Sequence, residues 1–190
     1  MLHPPQTALP SGTAAWLQGR QVAGTFHVRD KNASDLGRLA RLLTGRSIAL
    51  VLSGGGARGL AYLGLYRAVE ELGIPLDFVG GTSIGALMAV MMAVGKSHEE
   101  IMSLGQALAK PDGWKDYTLP FTSLMTSRRV TNTIKEVCGQ LQLEDAWLPY
   151  FCVSTNITTA QKVIHRRGLA WRAVRASLSI PGVFTPVIED

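Results

Sequence analysis

Cysteine is scarce in this sequence: Cys138 and Cys152 are the only two among 190 residues, with no Cys-x-x-Cys and no paired histidines around them. A disulfide framework and a metal centre are therefore not expected to organise the fold, and reduced thiols are. Long apolar runs are also missing. The longest, residues 84–94, falls far short of the ~20 residues a membrane helix needs, so it reads as a buried helix. The opening Met-Leu-His-Pro-Pro lacks a charged segment followed by an apolar one, so no secretory signal is expected. The expected location is cytoplasmic, with any membrane association peripheral. No Gly-Lys-Ser/Thr follows the glycine turn at residues 54–59, so that turn is not expected to be a P-loop. Acidic charge is in deficit, with 14 Asp and Glu against 19 Lys and Arg and a formal net charge of +5. That excess favours an anionic surface such as phospholipid headgroups. It falls at Arg38, Arg41 and Arg46, at Arg128 and Arg129, and at Lys162, Arg166, Arg167, Arg172 and Arg175. No aromatic residues interleave these groups as they would on a nucleic-acid surface, so nucleic acid is not an expected partner.

At 46% hydrophobic, the chain can close one sizeable core. Residues 1–33 are rich in Pro and Gly with little periodicity and read as a linker or N-terminal extension, with a short strand within 22–28. From Ser34, a plausible N-cap, Leu36, Leu39, Ala40 and Leu43 share one helical face with Arg38 and Arg41 off it. Residues 48–52 are uninterruptedly apolar, as in a strand buried on both faces. Glycines follow, then helical spacing over 60–72, closed by Gly73 and Pro75. A second strand at 76–79 runs into Gly80-Gly81, and the apolar helix starts at Ile84. Strand, glycine turn and helix, twice over, is the pattern of right-handed crossovers on a parallel sheet. Further on come a polar helix at 97–108, a turn-rich loop at 110–114, and a helix spaced on Val130, Ile134, Val137 and Leu141. Strands at 150–157 and 161–165 form a hairpin, and a helix spans 171–178.

The two glycine turns carry the chemistry. In Gly81-Thr82-Ser83-Ile84-Gly85, Ser83 stands at a strand-to-helix bend where flanking glycines allow close backbone approach, the arrangement of a nucleophile elbow. It also opens a helix, whose free N–H groups favour negative charge. The second turn, Gly54-Gly55-Gly56-Ala57-Arg58-Gly59, offers several unobstructed N–H groups, as an oxyanion hole requires. The same turn also fits a dinucleotide-binding glycine loop. Against that, the following strand ends Val79-Gly80-Gly81, with no acid for a ribose, and Ser83 would have no purpose. None of His3, His27, His98 or His165 has a context that marks it as a base, and neither do Asp77, Asp112, Asp116 or Asp190.

With these motifs the sequence resembles the patatin-like phospholipase family, in the branch that includes neuropathy target esterase and related bacterial proteins. The resemblance rests on Leu-Ala-Arg-Leu-Leu-Thr-Gly-Arg at 39–46, Gly-Gly-Gly-Ala-Arg-Gly at 54–59, Gly-Ile-Pro at 73–75, Val-Gly-Gly-Thr-Ser-Ile-Gly at 79–85, Trp-Leu-Pro-Tyr-Phe at 147–151 and Val-Arg-Ala-Ser at 174–177. It implies a three-layer α/β fold with a mainly parallel central sheet over residues 34–190, C-terminally incomplete. It implies a Ser–Asp dyad with Ser83 as nucleophile, Gly54 to Gly59 as the oxyanion site, and no cofactor or metal. The family's aspartate lies in an Asp-Gly-Gly or Asp-Gly-Ala motif, and neither occurs here, so the general base is expected beyond Asp190 and the 190 residues alone are expected to be poorly active. The implied activity is hydrolysis of lipid carboxylic esters, with phospholipid or lysophospholipid as substrate. A general carboxylesterase or thioesterase, and a non-catalytic lipid- or partner-binding fragment, are the alternatives. The resemblance also implies a cyclic-nucleotide-binding domain upstream in a longer protein.

Overall fold

The computed structural model describes residues 1–109 and 128–188. The loop read at 110–114, with Asp112 and Asp116, and the terminal Asp190 lie outside the described residues, as does the side chain of Arg129. In chain order the elements are β1 (Leu2–His3), α1 (Thr13–Leu17), β2 (Val28–Arg29), α2 (Ala33–Leu43), β3 (Ala49–Leu52), α3 (Ala61–Glu71), β4 (Phe78–Thr82), α4 (Ile84–Ala93), α5 (His98–Ala109), α6 (Arg128–Cys138), β5 (Tyr150–Asn156), β6 (Gln161–His165) and α7 (Ala170–Leu178). A 3-10 turn, Gly56–Leu60, precedes α3. The main sheet has the order β3-β4-β5-β6, with β3, β4 and β5 parallel and β6 antiparallel to β5. This is the expected α/β organisation with a mainly parallel sheet.

The core lies against the sheet face that carries Leu52, Val79, Tyr150 and Cys152, and α4, α6 and α7 fill it. Helix α4 is apolar all round because it is buried all round: every residue from Gly85 to Ala93 is inaccessible. Each fully buried Leu, Val or Met there contributes about 1.5–3 kcal/mol of burial free energy. The Tyr150 hydroxyl donates to Ala86 O at 2.9 Å, which fixes α4 along β5.

Several local expectations change. Strand β4 runs through Gly80, Gly81 and Thr82, three residues past the expected end, because Gly80 and Gly81 pair with both β3 and β5 and Thr82 with β5. Strand β3 is covered on one face only: Val51 is 61% exposed, so its unbroken apolar run does not signal burial on both faces among the described residues. The N-cap of α2 is Asn32, whose Oδ1 accepts from Asp35 N–H at 2.9 Å; Ser34 is already inside the helix.

The orientation of α2 is the reverse of what its apolar stripe suggests. Leu36 is exposed and Leu43 is 74% exposed, whereas Asp35 and Arg38 are buried. Asp35 binds Arg29 through both carboxylate oxygens and Arg38 at 2.9 Å, and Arg38 Nη2 donates to His27 O. Arg41 pairs with the fully buried Asp77 at the start of β4, which also accepts from Ile48 N–H. Periodicity defines a stripe but not which side faces inward. Here a satisfied charge network takes the inner side.

The N-terminal extension is packed onto the body. Strands β1 and β2 pair in parallel, Thr13 N–H donates to Asp145 Oδ1, and Trp147 Nε1 donates to Ala8 O. His3 and His27 are in hydrogen-bond contact at 2.8 Å, and His27 Nε2 reaches Glu144 O at 2.7 Å. A carbonyl can only accept, so Nε2 of His27 carries the proton and its Nδ1 accepts from His3.

Candidate active site

Ser83 lies at the C-terminal end of β4 and is the N-cap residue of α4, with φ 54° and ψ −126°. Positive φ at a non-glycine residue outside the small left-handed well costs about 1–3 kcal/mol and persists only where surrounding structure enforces it. The enforcement is visible on both sides. A methyl group at Gly81 would stand 2.6 Å from Gly85 C and from Leu52 O, and one at Gly85 would stand 2.3 Å from Leu52 O. Both glycines let α4 start directly against β3.

The glycine turn after β3 comes to the same place. A methyl at Gly54 would lie 3.3 Å from Ser83 Cβ, so Gly54 packs directly beside the serine. The N–H groups of Gly54, Gly55 and Gly56 meet no acceptor among the described residues. Ala57, Arg58 and Gly59 belong to the 3-10 turn, where Arg58 N–H bonds back to Gly55 O. A methyl at Gly59 would strike Ile84 at 2.6 Å, so the turn and the start of α4 are also in contact. The fold thus brings together the two glycine motifs, which are 22 positions apart at their nearest residues, Gly59 and Gly81.

A cavity of about 610 Å³ opens beside Ser83, lined by Thr82, the end of β5, Ser177 and the segment from Ser179 to Ile188. Among the described residues that line it, none is charged and none is histidine. His165 Nε2 lies 2.7 Å from Oγ of the lining residue Ser154, and no hydrogen bond among the described residues joins it to Ser83. His3 and His27 lie in the N-terminal extension, and His98 Nδ1 contacts Glu70 at the start of α5. Asp77 is tied to Arg41 at the opposite end of β4. Among the described residues, no group of three or more His, Cys, Asp or Glu is placed to hold a metal ion, and no helix is long and apolar enough to cross a membrane.

One residue at this site was not singled out from sequence. Ser177, on α7, accepts from Ser83 N–H at 2.7 Å and donates to Val153 O at 2.6 Å. It was legible only as part of Val-Arg-Ala-Ser; nothing local marks its partner, 94 positions away. Its neighbour Arg175 is buried, and desolvation lowers its pKa. Arg175 donates to Thr131 Oγ1, Ser179 Oγ and Thr185 O, which fastens α7 to α6 and to the segment that walls the cavity.

The matches with known proteins cover these residues. Residues 50–190 match the patatin family, described as patatin-like phospholipase. Patatin-like phospholipase domain-containing protein 7 of Rattus norvegicus is 43% identical, over 100% of this chain and 16% of its own length. Patatin-like phospholipase domain-containing protein 6 of Homo sapiens is 36% identical over the same shares. Neuropathy target esterase sws of Drosophila persimilis is 43% identical, over 82% of this chain and 11% of its own. The chain therefore spans a small part of each curated relative. Among solved structures, the type III effector protein ExoU superposes with a TM-score of 0.48 at 16% identity, covering 73% of this chain and 39% of that one.

Proposed function

Because the chain belongs to the patatin-like phospholipase family, we propose that it is the catalytic segment of a serine hydrolase of lipid carboxylic esters, with Ser83 as nucleophile. The observation that carries this reading is the meeting of Gly54 with Ser83 beside a cavity whose described lining residues carry no charge. Ser83 Oγ attacks the acyl carbonyl, and the developing oxyanion is held by N–H groups of the Gly54 to Gly56 turn, with Arg58 close by. Such donors lower an acyl-transfer barrier by about 3–4 kcal/mol each. Water then hydrolyses the acyl-enzyme. The proton passes to an aspartate supplied by an Asp-Gly-Gly or Asp-Gly-Ala segment outside these 190 residues.

A lipid substrate is supported by the cavity walls. Ile157, Ile180 and Ile188 line it and are all exposed, which suits a substrate with an apolar tail presented from an aggregate. The test uses the full-length protein. A fluorophosphonate should label the wild type and not Ser83→Ala, and lysophospholipid turnover should rise above its micelle threshold. Labelling without that rise, together with rapid cleavage of short p-nitrophenyl esters, would assign a general esterase instead. Absence of labelling at Ser83 would assign a binding module.

A further inference from the structure

Strand β4 should carry its hydrogen-bond ladder with β5 one rung further than it does. In a parallel pair the donors of one strand recur at every second residue. Val79 N–H donates to Pro149 O, and the register pairs Thr82 with Val153. The ladder therefore reaches Ser83 N–H with Val153 O as its regular acceptor. That rung is absent. Ser83 N–H goes to Ser177 Oγ at 2.7 Å instead, and the same hydroxyl donates to Val153 O at 2.6 Å. One hydroxyl has entered the ladder and satisfied both groups it separates. Thr82 Oγ1 joins it, donating to Val153 O at 3.2 Å and lying 3.4 Å from Ser177 Oγ.

We propose that Ser177 is a positioning residue for the nucleophile: its hydroxyl, inserted between Ser83 N–H and Val153 O, ends the strand and holds Ser83 at positive φ. The proposal rests on the reading of Ser83 as nucleophile. Without the hydroxyl, Ser83 N–H would have to close on Val153 O, drawing the residue toward ordinary β geometry, or stay unbonded beside a half-buried carbonyl. Either outcome moves Oγ relative to the Gly54 turn. A hydroxyl is suited to this place because it donates and accepts through one atom, which neither alanine nor cysteine does well. Its carrier α7 is rigidly seated, since Arg175, two residues earlier, is bonded to Thr131, Ser179 and Thr185.

The test compares wild type, S177A, S177C and S177T in the full-length protein. Turnover of a short p-nitrophenyl ester is measured beside hydrogen–deuterium exchange of the peptide containing Ser83. S177A should lose about 100-fold in kcat, the scale of a 1 Å misplacement, with KM little changed and Ser83 exchange accelerated. S177C is nearly isosteric and leaves no void, so it should fall with S177A even where S177A is poorly folded; S177T should recover most of the loss. Wild-type kcat in S177A or S177C, a kcat loss with unchanged Ser83 exchange, or S177T as slow as S177A would each overturn the proposal. Turnover undiminished by S83A would instead refute the nucleophile reading, and the exchange data would still decide whether Ser177 interrupts the ladder.

Discussion

Gly85→Ala should damage the site more than the fold. The added methyl would lie 2.3 Å from Leu52 O and 2.6 Å from both Leu52 C and Ser53 O. All three are backbone atoms, so no side-chain rotation can relieve the contact. Strand β3 cannot retreat, because Leu52 is paired with Gly81 in β4. The N-terminal turn of α4 must therefore move away by about 1 Å to reach ordinary contact distance, and Ser83, its N-cap, moves with it. Overpacking of this kind costs about 1–3 kcal/mol, which for a domain of this size lowers the melting midpoint by about 2–4 °C per kcal/mol. The displacement at the nucleophile should cost about 100-fold in rate. The assay is the fluorophosphonate labelling rate of the full-length protein alongside its thermal midpoint. Labelling of G85A at the wild-type rate would refute the argument, since it would mean that α4 can be repositioned without moving Ser83 Oγ.

Gly64→Ala provides the contrast: a methyl there meets nothing within 4 Å in the exposed middle of α3, so it should stabilise by about 0.5–1 kcal/mol in chemical denaturation. Asp77→Asn should destabilise by about 3 kcal/mol, because Arg41 loses its charged partner. Burial alone would raise the Asp77 pKa, but Arg41 and Ile48 N–H outweigh it and hold it below 3.8. The stabilisation from this ionised carboxylate is therefore complete above pH 3.8 and lost as pH falls through the folded value, and D77N should lack that acid-side loss in denaturation profiles. Burial lowers the His27 pKa, with proximity to His3 adding to it against the bond to Glu144 O. Docking of residues 1–29 should thus be complete above pH 6.5 and weaken as pH falls below it. Hydrogen exchange in that segment, corrected for intrinsic rates, should show this, and H27Q should flatten the dependence.

The crossovers, the apolar α4 and the two glycine turns were legible because each is a local matter. An unbroken apolar run, a 3.6-residue spacing, or a glycine between strand and helix constrains its own few residues wherever they end up. Gly81 and Gly85 flanking Ser83 belong to this class, since their reason is the bend itself. The inward face of α2 does not: Leu36, Leu39 and Leu43 form a stripe in sequence, yet Asp35 and Arg38 are buried because Arg29, His27 and Asp77 lie there to receive that side of the helix. The half-covered β3 follows the same logic, since a strand cannot encode how many layers flank it. Sequence alone determined where Ser83 stands, at a bend between an apolar strand and an apolar helix. Tertiary structure alone decided that Ser177 replaces a rung of the β4–β5 ladder beneath it. A hydrogen bond between residues 94 positions apart depends on the placement of whole elements, and the composition of neither segment carries that placement.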